Sequence, residues 1–181
     1  MYSKALLIVS FLLFTIFPAL AQNGNTYIGA TACGMCHKTE KQGEQLKIWQ
    51  GTPHAGAYET LKTEEADKIA KEKDFDTKAI ETEDCLKCHA IGYNLDASML
   101  GKKFKIEDGV QCETCHGPGS AYKKKSIMKD REKAVANGLL VYENPGEELC
   151  INCHNAESPT YVDFVFAEMW EKIKHPKPGS E

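Results

Sequence analysis

Two cysteines three positions apart with a histidine directly behind the second recur four times: Cys33-Gly34-Met35-Cys36-His37, Cys85-Leu86-Lys87-Cys88-His89, Cys112-Glu113-Thr114-Cys115-His116 and Cys150-Ile151-Asn152-Cys153-His154. Together they use all eight cysteines and four of the six histidines. The spacing has a chemical reason. Two thiols add to the two vinyl groups of one haem, and the imidazole of the next residue reaches the iron from one face. Cys33, Cys36, Cys85, Cys88, Cys112, Cys115, Cys150 and Cys153 are therefore read as thioether anchors of four covalent c-type haems. His37, His89, His116 and His154 are read as their proximal iron ligands. Paired cysteines also build zinc sites, but a zinc module needs no histidine behind every pair. Four disulfides would likewise leave the four histidines unexplained. A thioredoxin-like redox pair needs one motif in a βαβ setting.

The segments around these motifs must position them. Lys4, the apolar run from Ala5 to Phe17 and Ala19-Leu20-Ala21 read as an export leader cleaved after Ala21, with Gln22 as the mature start. The alternative is a retained anchor, but the apolar run falls short of the roughly 20 residues a bilayer span needs. The destination expected is the periplasm or the extracellular space, where bacterial c-type haems are attached. The organisation is thus a leader over 1–21 and one tetrahaem domain over 22–181, with no membrane span after cleavage. That leaves about 40 residues per haem, too few for a large side-chain core, so the haems must themselves be the core. The fold class expected is mostly α with little β, a thin chain wrapped around four closely packed haems. Without its leader the chain has 21 basic and 26 acidic residues, and the haem propionates add further negative charge. This argues against nucleic acid and for redox proteins with basic docking patches as electron donor and acceptor.

Periodicity predicts helix over Lys38–Trp49, an amphipathic helix over Glu59–Lys73, and a C-terminal helix over Thr160–Lys174. The stretch from Gly92 to Gly109 reads as loop with a short hairpin near Lys103–Ile106. Gly117-Pro118-Gly119 reads as a turn, and Asn144-Pro145 as the start of a short helix into the fourth motif. What fills the sixth position of each iron decides between electron transfer and ligand chemistry. Two histidines remain. His54 follows Thr52-Pro53, and His175 ends the last helix; both are placed to present an imidazole. The alternative for each is an ordinary surface histidine.

The chain resembles the cytochrome c-554 family, tetrahaem carriers that accept electrons from hydroxylamine oxidoreductase in ammonia-oxidising bacteria. The resemblance runs from Tyr27 to about Pro176. It is carried by Tyr27-Ile28-Gly29, by the first motif with Lys38, by Trp49 with Thr52-Pro53-His54-Ala55, and by the second motif. It continues through Val110-Gln111 and the third motif with Gly117-Pro118-Gly119, and ends in Phe166-Ala167-Glu168-Met169. It implies a mostly helical fold with stacked haem pairs. It also implies His54 opposite His116, and His175 opposite His154. The family's distal histidine for the first haem follows Gly-Pro-Gly, but here residues 120–131 contain no histidine. Met128 is the nearest alternative donor for the His37 haem, or else a helix core residue. Met99 is a weaker candidate, and Met35 lies inside its own motif. The family's second haem is five-coordinate, which marks the His89 iron as open. The leading expectation is electron transfer. The rivals are a haem enzyme reducing small nitrogen oxides at the His89 haem, and a homo-oligomer, filament or larger multihaem complex whose neighbours supply missing ligands.

Overall fold

The computed structural model describes residues 24–142 and 147–176. The expected leader and the Asn144-Pro145 helix start lie outside the described residues. The described chain is mostly helical, as nine short helices joined by loops and 3₁₀ turns: α1 (Ala30–Gly34), α2 (Gln45–Gln50), α3 (Ala57–Thr60), α4 (Glu64–Glu72), α5 (Glu83–His89), α6 (Cys112–His116), α7 (Lys125–Met128), α8 (Arg131–Ala136) and α9 (Phe166–Ile173). No strand forms among the described residues. The sole extended pairing there is a parallel bridge of Tyr27 with Leu100, in which Tyr27 donates to the Met99 carbonyl at 2.8 Å and accepts from Gly101 at 2.7 Å.

One side-chain cluster holds α4 to the approach of the second motif. Thr63 caps α4, its hydroxyl oxygen accepting from the Ala66 N–H at 3.2 Å, and Glu64, Glu65 and Asp67 complement the positive helix start. The apolar face then buries Leu61, Ala70 and Ala79, with Phe75, Ile80 and Leu86 packed around them. Asp67 adds a bond from the Ala79 N–H at 2.9 Å. This clamp sets the direction in which α5 leaves, and so aims Cys85, Cys88 and His89.

Beyond this cluster the described residues form no large side-chain core. Cluster included, eight of the described hydrophobic residues are buried, and five of them are alanines: Ala30, Ala70, Ala79, Ala90 and Ala134. Alanine burial supplies too little apolar area to hold a domain of this size. The largest fully buried side chains are instead polar, Gln111 and Glu113. Glu113 lies inside the third motif. Its carboxylate accepts from the Ile28 N–H at 2.8 Å and 2.9 Å, from Gly29 at 2.7 Å and from Gly119 at 2.7 Å. Beside it the Gln111 side-chain oxygen accepts from Ala30 at 2.8 Å. These bonds fasten the lead-in to the first motif onto the third, so α1 and α6 are held side by side.

Three expected helices are shorter than their periodicity suggests, each for a local reason. The Lys38–Trp49 stretch is broken at Gly43 and Glu44, both left-handed at φ 89° and 49°, and helix resumes only at Gln45. A side chain at Gly43 would meet the Pro176 carbonyl, so the break is where the C-terminal segment docks. The Glu59–Lys73 pattern divides at Leu61–Thr63 into α3 and α4. The Thr160–Lys174 helix begins only at Phe166: residues 161–165 are not helical, and Phe164 among them stacks on His154 at 4.8 Å. The hairpin near Lys103–Ile106 is absent: the segment is a loop ending in a 3₁₀ turn, Ile106–Asp108. The Gly117-Pro118-Gly119 turn is present, with Gly117 at φ 75°.

Candidate haem sites

Each Cys-x-x-Cys-His unit occupies one helical turn. The third is α6 itself, the second ends α5, and the first runs out of α1. The fourth is a single turn in which the Cys153 and His154 N–H groups donate to the Cys150 carbonyl at 3.1 Å and 2.9 Å. Residues three and four apart on a turn share a face. Both thiols and the imidazole of each motif therefore point the same way, as one macrocycle requires. None of the eight cysteines is in a disulfide. Among the described residues no three Cys, His, Asp or Glu side chains converge on a metal position, so a tetrahedral zinc site has no cluster to rest on.

The motif histidines are oriented from behind. The His89 Nδ1–H donates to the Ala57 carbonyl at 2.7 Å, and the His116 Nδ1–H to the Leu140 carbonyl at 2.8 Å. His37 makes the same bond more loosely, to the Gln45 side-chain oxygen at 3.3 Å. Such bonds fix the tautomer and leave Nε2 for the metal. Among the described residues His154 has no partner at Nδ1, and it is oriented by its stack on Phe164 instead.

His54 and His175 each face a motif histidine. The rings of His54 and His154 have centroids 6.0 Å apart, and those of His175 and His116 5.9 Å apart. Imidazoles bound on opposite faces of one iron have nitrogens roughly 2 Å from the metal, which puts their ring centres roughly 6 Å apart. Both gaps match that spacing. These ring pairs differ from the ones the family resemblance implies, which set His54 opposite His116 and His175 opposite His154. Gly109, at φ 65°, lets the His54 backbone come close, and the Val110 N–H donates to the His54 carbonyl at 3.1 Å. Trp49 Nε1 pins the same segment to the Val110 carbonyl at 2.9 Å. Burial, with the facing His154, holds His54 below the usual imidazole range, and burial with His116 does the same for His175. The neutral ring is the form that ligates.

Neither His37 nor His89 has a second histidine ring facing it in this way among the described residues. Met128 is half-buried at the end of α7, where its N–H donates to the Lys124 carbonyl at 2.8 Å. No described contact joins Met128 to His37. A cleft of about 190 Å³ is lined by Tyr27, Ile91, Tyr93 and Val110 together with Cys88 of the second motif and Cys153 of the fourth.

The thiols also show which motifs are neighbours. Cys33 of the first motif shares a hydrogen bond with Cys112 of the third, which raises the Cys33 thiol and lowers that of Cys112. Burial, then the charge of Cys88, pushes Cys153 up to about 12, and Cys88 and Cys153 share a hydrogen bond. Cys115 of the third motif lies within electrostatic reach of Cys150 of the fourth and is raised to about 11, chiefly by burial. The first motif therefore neighbours the third, and the fourth neighbours both the third and the second, while Thr114 of the third also lines the cleft beside Cys88 of the second. Glu113, Gln45 and Phe164 support the site but carry no signature in sequence.

A family model described as cytochrome c554 and c-prime matches residues 32–117, which hold the first three motifs and His54. Cytochrome c-554 of Nitrosomonas europaea is 31% identical over 140 residues, covering 70% of this chain and 56% of that protein. The chain thus spans about half the length of this curated relative. No solved structure matches.

Proposed function

Since the chain belongs to the cytochrome c554 family, we propose that it is a tetrahaem c-type cytochrome carrying electrons between redox proteins in the periplasm or outside the cell. In this reading residues 1–21 are an export leader and residues 22–181 one tetrahaem domain. The donor and acceptor are other redox proteins. Among the described residues no helix is long and apolar enough to cross a membrane.

Each haem, once attached, supplies a one-electron ferric–ferrous couple. The chain's own residues do the rest. The eight cysteines anchor, and the four motif histidines ligate. His54 closes the site of His154, and His175 closes that of His116. The observation that carries the reading is the pair of cross-chain histidine gaps, 6.0 Å and 5.9 Å. Strong ligands on both faces leave no place for substrate and suit a carrier. Met128 is assigned opposite His37 by its place after Gly117-Pro118-Gly119. Motif adjacency supports an electron path from the first motif through the third and fourth to the second.

A second reading rests on His89, which faces no second histidine among the described residues. An open iron there would accept a small ligand, and the reaction class would be reduction of small nitrogen oxides. Electron paramagnetic resonance of the oxidised holoprotein tests both readings. The carrier reading expects low-spin signals from the His154, His116 and His37 sites and one high-spin signal from His89. Mass spectrometry under denaturing conditions should find four haems on the chain. A bare polypeptide, or high-spin signals from most sites, overturns the proposal. Steady turnover of nitrite or nitric oxide would favour the enzyme.

A further inference from the structure

Gln45 opens α2 between two sites. Its side-chain oxygen accepts from the His37 Nδ1–H at 3.3 Å, and its side-chain nitrogen donates to the Pro176 carbonyl at 2.9 Å. Pro176 directly follows His175, whose ring stands 5.9 Å from that of His116. One amide therefore touches the back of the first motif's imidazole and the chain that presents His175 to the third.

Two further features fit this bridge. Gly43 lies under the same carbonyl, where an added Cβ would stand 2.8 Å from the Pro176 oxygen. Gly43 thus gives the C-terminal segment room to dock. The Leu46 N–H donates to the His37 carbonyl at 2.9 Å, and the Leu46 side chain fills the space a Cβ on Gly34 would need. The start of α2 is therefore seated on the first motif from two sides. The amide orientation is fixed as well. With Nε2 of His37 directed to the metal, Nδ1 carries the proton and needs an acceptor, while the Pro176 carbonyl needs a donor.

We propose that Gln45 is a positioning residue that couples the His37 and His116 haem sites, setting the basicity of His37 while holding His175 in place. This rests on the ligand reading above. A better acceptor at Nδ1 makes the imidazole a stronger donor to ferric iron and lowers the potential; a lost acceptor raises it. A lost donor to Pro176 releases the His175 segment. Because both functions sit on one amide, movement of the C-terminal segment alters the His37 environment, and the reverse holds by linkage.

The test uses Gln45→Glu and Gln45→Ala holoproteins. Spectropotentiometry follows the His37 haem, and electron paramagnetic resonance follows the high-spin fraction. Gln45→Glu keeps an acceptor for His37 but sets a carboxylate against the Pro176 carbonyl. Its His37 haem should shift to lower potential, whereas that of Gln45→Ala should shift to higher. Both variants should raise the high-spin fraction of the His116 site and speed hydrogen exchange over residues 171–175. A merely structural role would move both variants the same way. Equal-sign shifts, or an unchanged His116 site, overturn the coupling. If Gln45→Ala fails to accumulate, Gln45→Asn, one methylene too short to span both partners, takes its place with the same expectations. His175→Ala separates the two levels. If it leaves the His116 site low-spin, the ligand reading fails; if it converts that site while the Gln45 variants do not, the coupling alone fails.

Discussion

Replacing Glu113 with glutamine should unfasten the first motif from the third. The carboxylate receives three backbone N–H groups, from Ile28, Gly29 and Gly119, in a position 2% exposed. Both oxygens accept, so no orientation of a glutamine amide serves all three. Its NH₂ must face the Gly29 or the Gly119 N–H, which leaves a buried donor without an acceptor. An unpaired buried polar group costs about 1–3 kcal/mol, and bonds to a charged acceptor exceed neutral ones, so Glu113→Gln should lose about 2–3 kcal/mol. Glu113→Ala leaves all three donors unpaired and should lose about 3–6 kcal/mol once backbone and water relax around them. Either is a large share of the about 5–15 kcal/mol that holds a typical domain. Equilibrium denaturation of the ferric holoprotein, followed in the Soret band as the distal ligands are displaced, measures the loss. Hydrogen exchange should speed first at Ile28 and Gly29. A Glu113→Gln midpoint equal to wild type, with both amides still protected, would refute the argument that this carboxylate joins the two motifs.

His54→Ala and His175→Ala should each turn one low-spin iron high-spin, at the His154 and His116 sites respectively, and electron paramagnetic resonance of each variant shows which. Leu61→Ala should cost about 2–4 kcal/mol by opening the cluster with Ala70 and Ala79, read by denaturation. Asp108 has a carboxylate oxygen that is buried without a partner among the described residues, and burial raises its carboxyl above the usual value. A raised folded-state pKa favours folding in the protonated form, a contribution present below the unfolded value of about 3.9 and lost as pH rises through the folded one. Asp108→Asn should therefore raise the unfolding midpoint at pH 7 and leave it unchanged near pH 3.

The four Cys-x-x-Cys-His turns were legible in sequence because their spacing is local: residues three and four apart share one face of a helical turn from Cys112 to His116 whatever the rest of the chain does. The mostly helical class was legible for a related reason, since α4 bears its own cap and its own apolar face. Partner choice was not. That the ring of His54 stands 6.0 Å from that of His154, a hundred residues on, has no counterpart in the residues beside His54. The same holds for helix ends. The 160–174 pattern is helical by periodicity, yet residues 161–165 are not helical and Phe164 among them stacks on His154. Glu113 and Gln45 were silent because ordinary polar residues acquire roles only from what the fold brings against them.

The order in which the motifs touch differs from the order in which they are synthesised. The first meets the third through Cys33 and Cys112, and the second meets the fourth through Cys88 and Cys153. A chain ending at Gly117 would hold three motifs and keep one of these two contacts, and a piece beginning after His89 would keep neither. If the motifs carry the haems proposed above, neither half of the gene encodes a shorter wire, because each contact joins a motif made early to one made later.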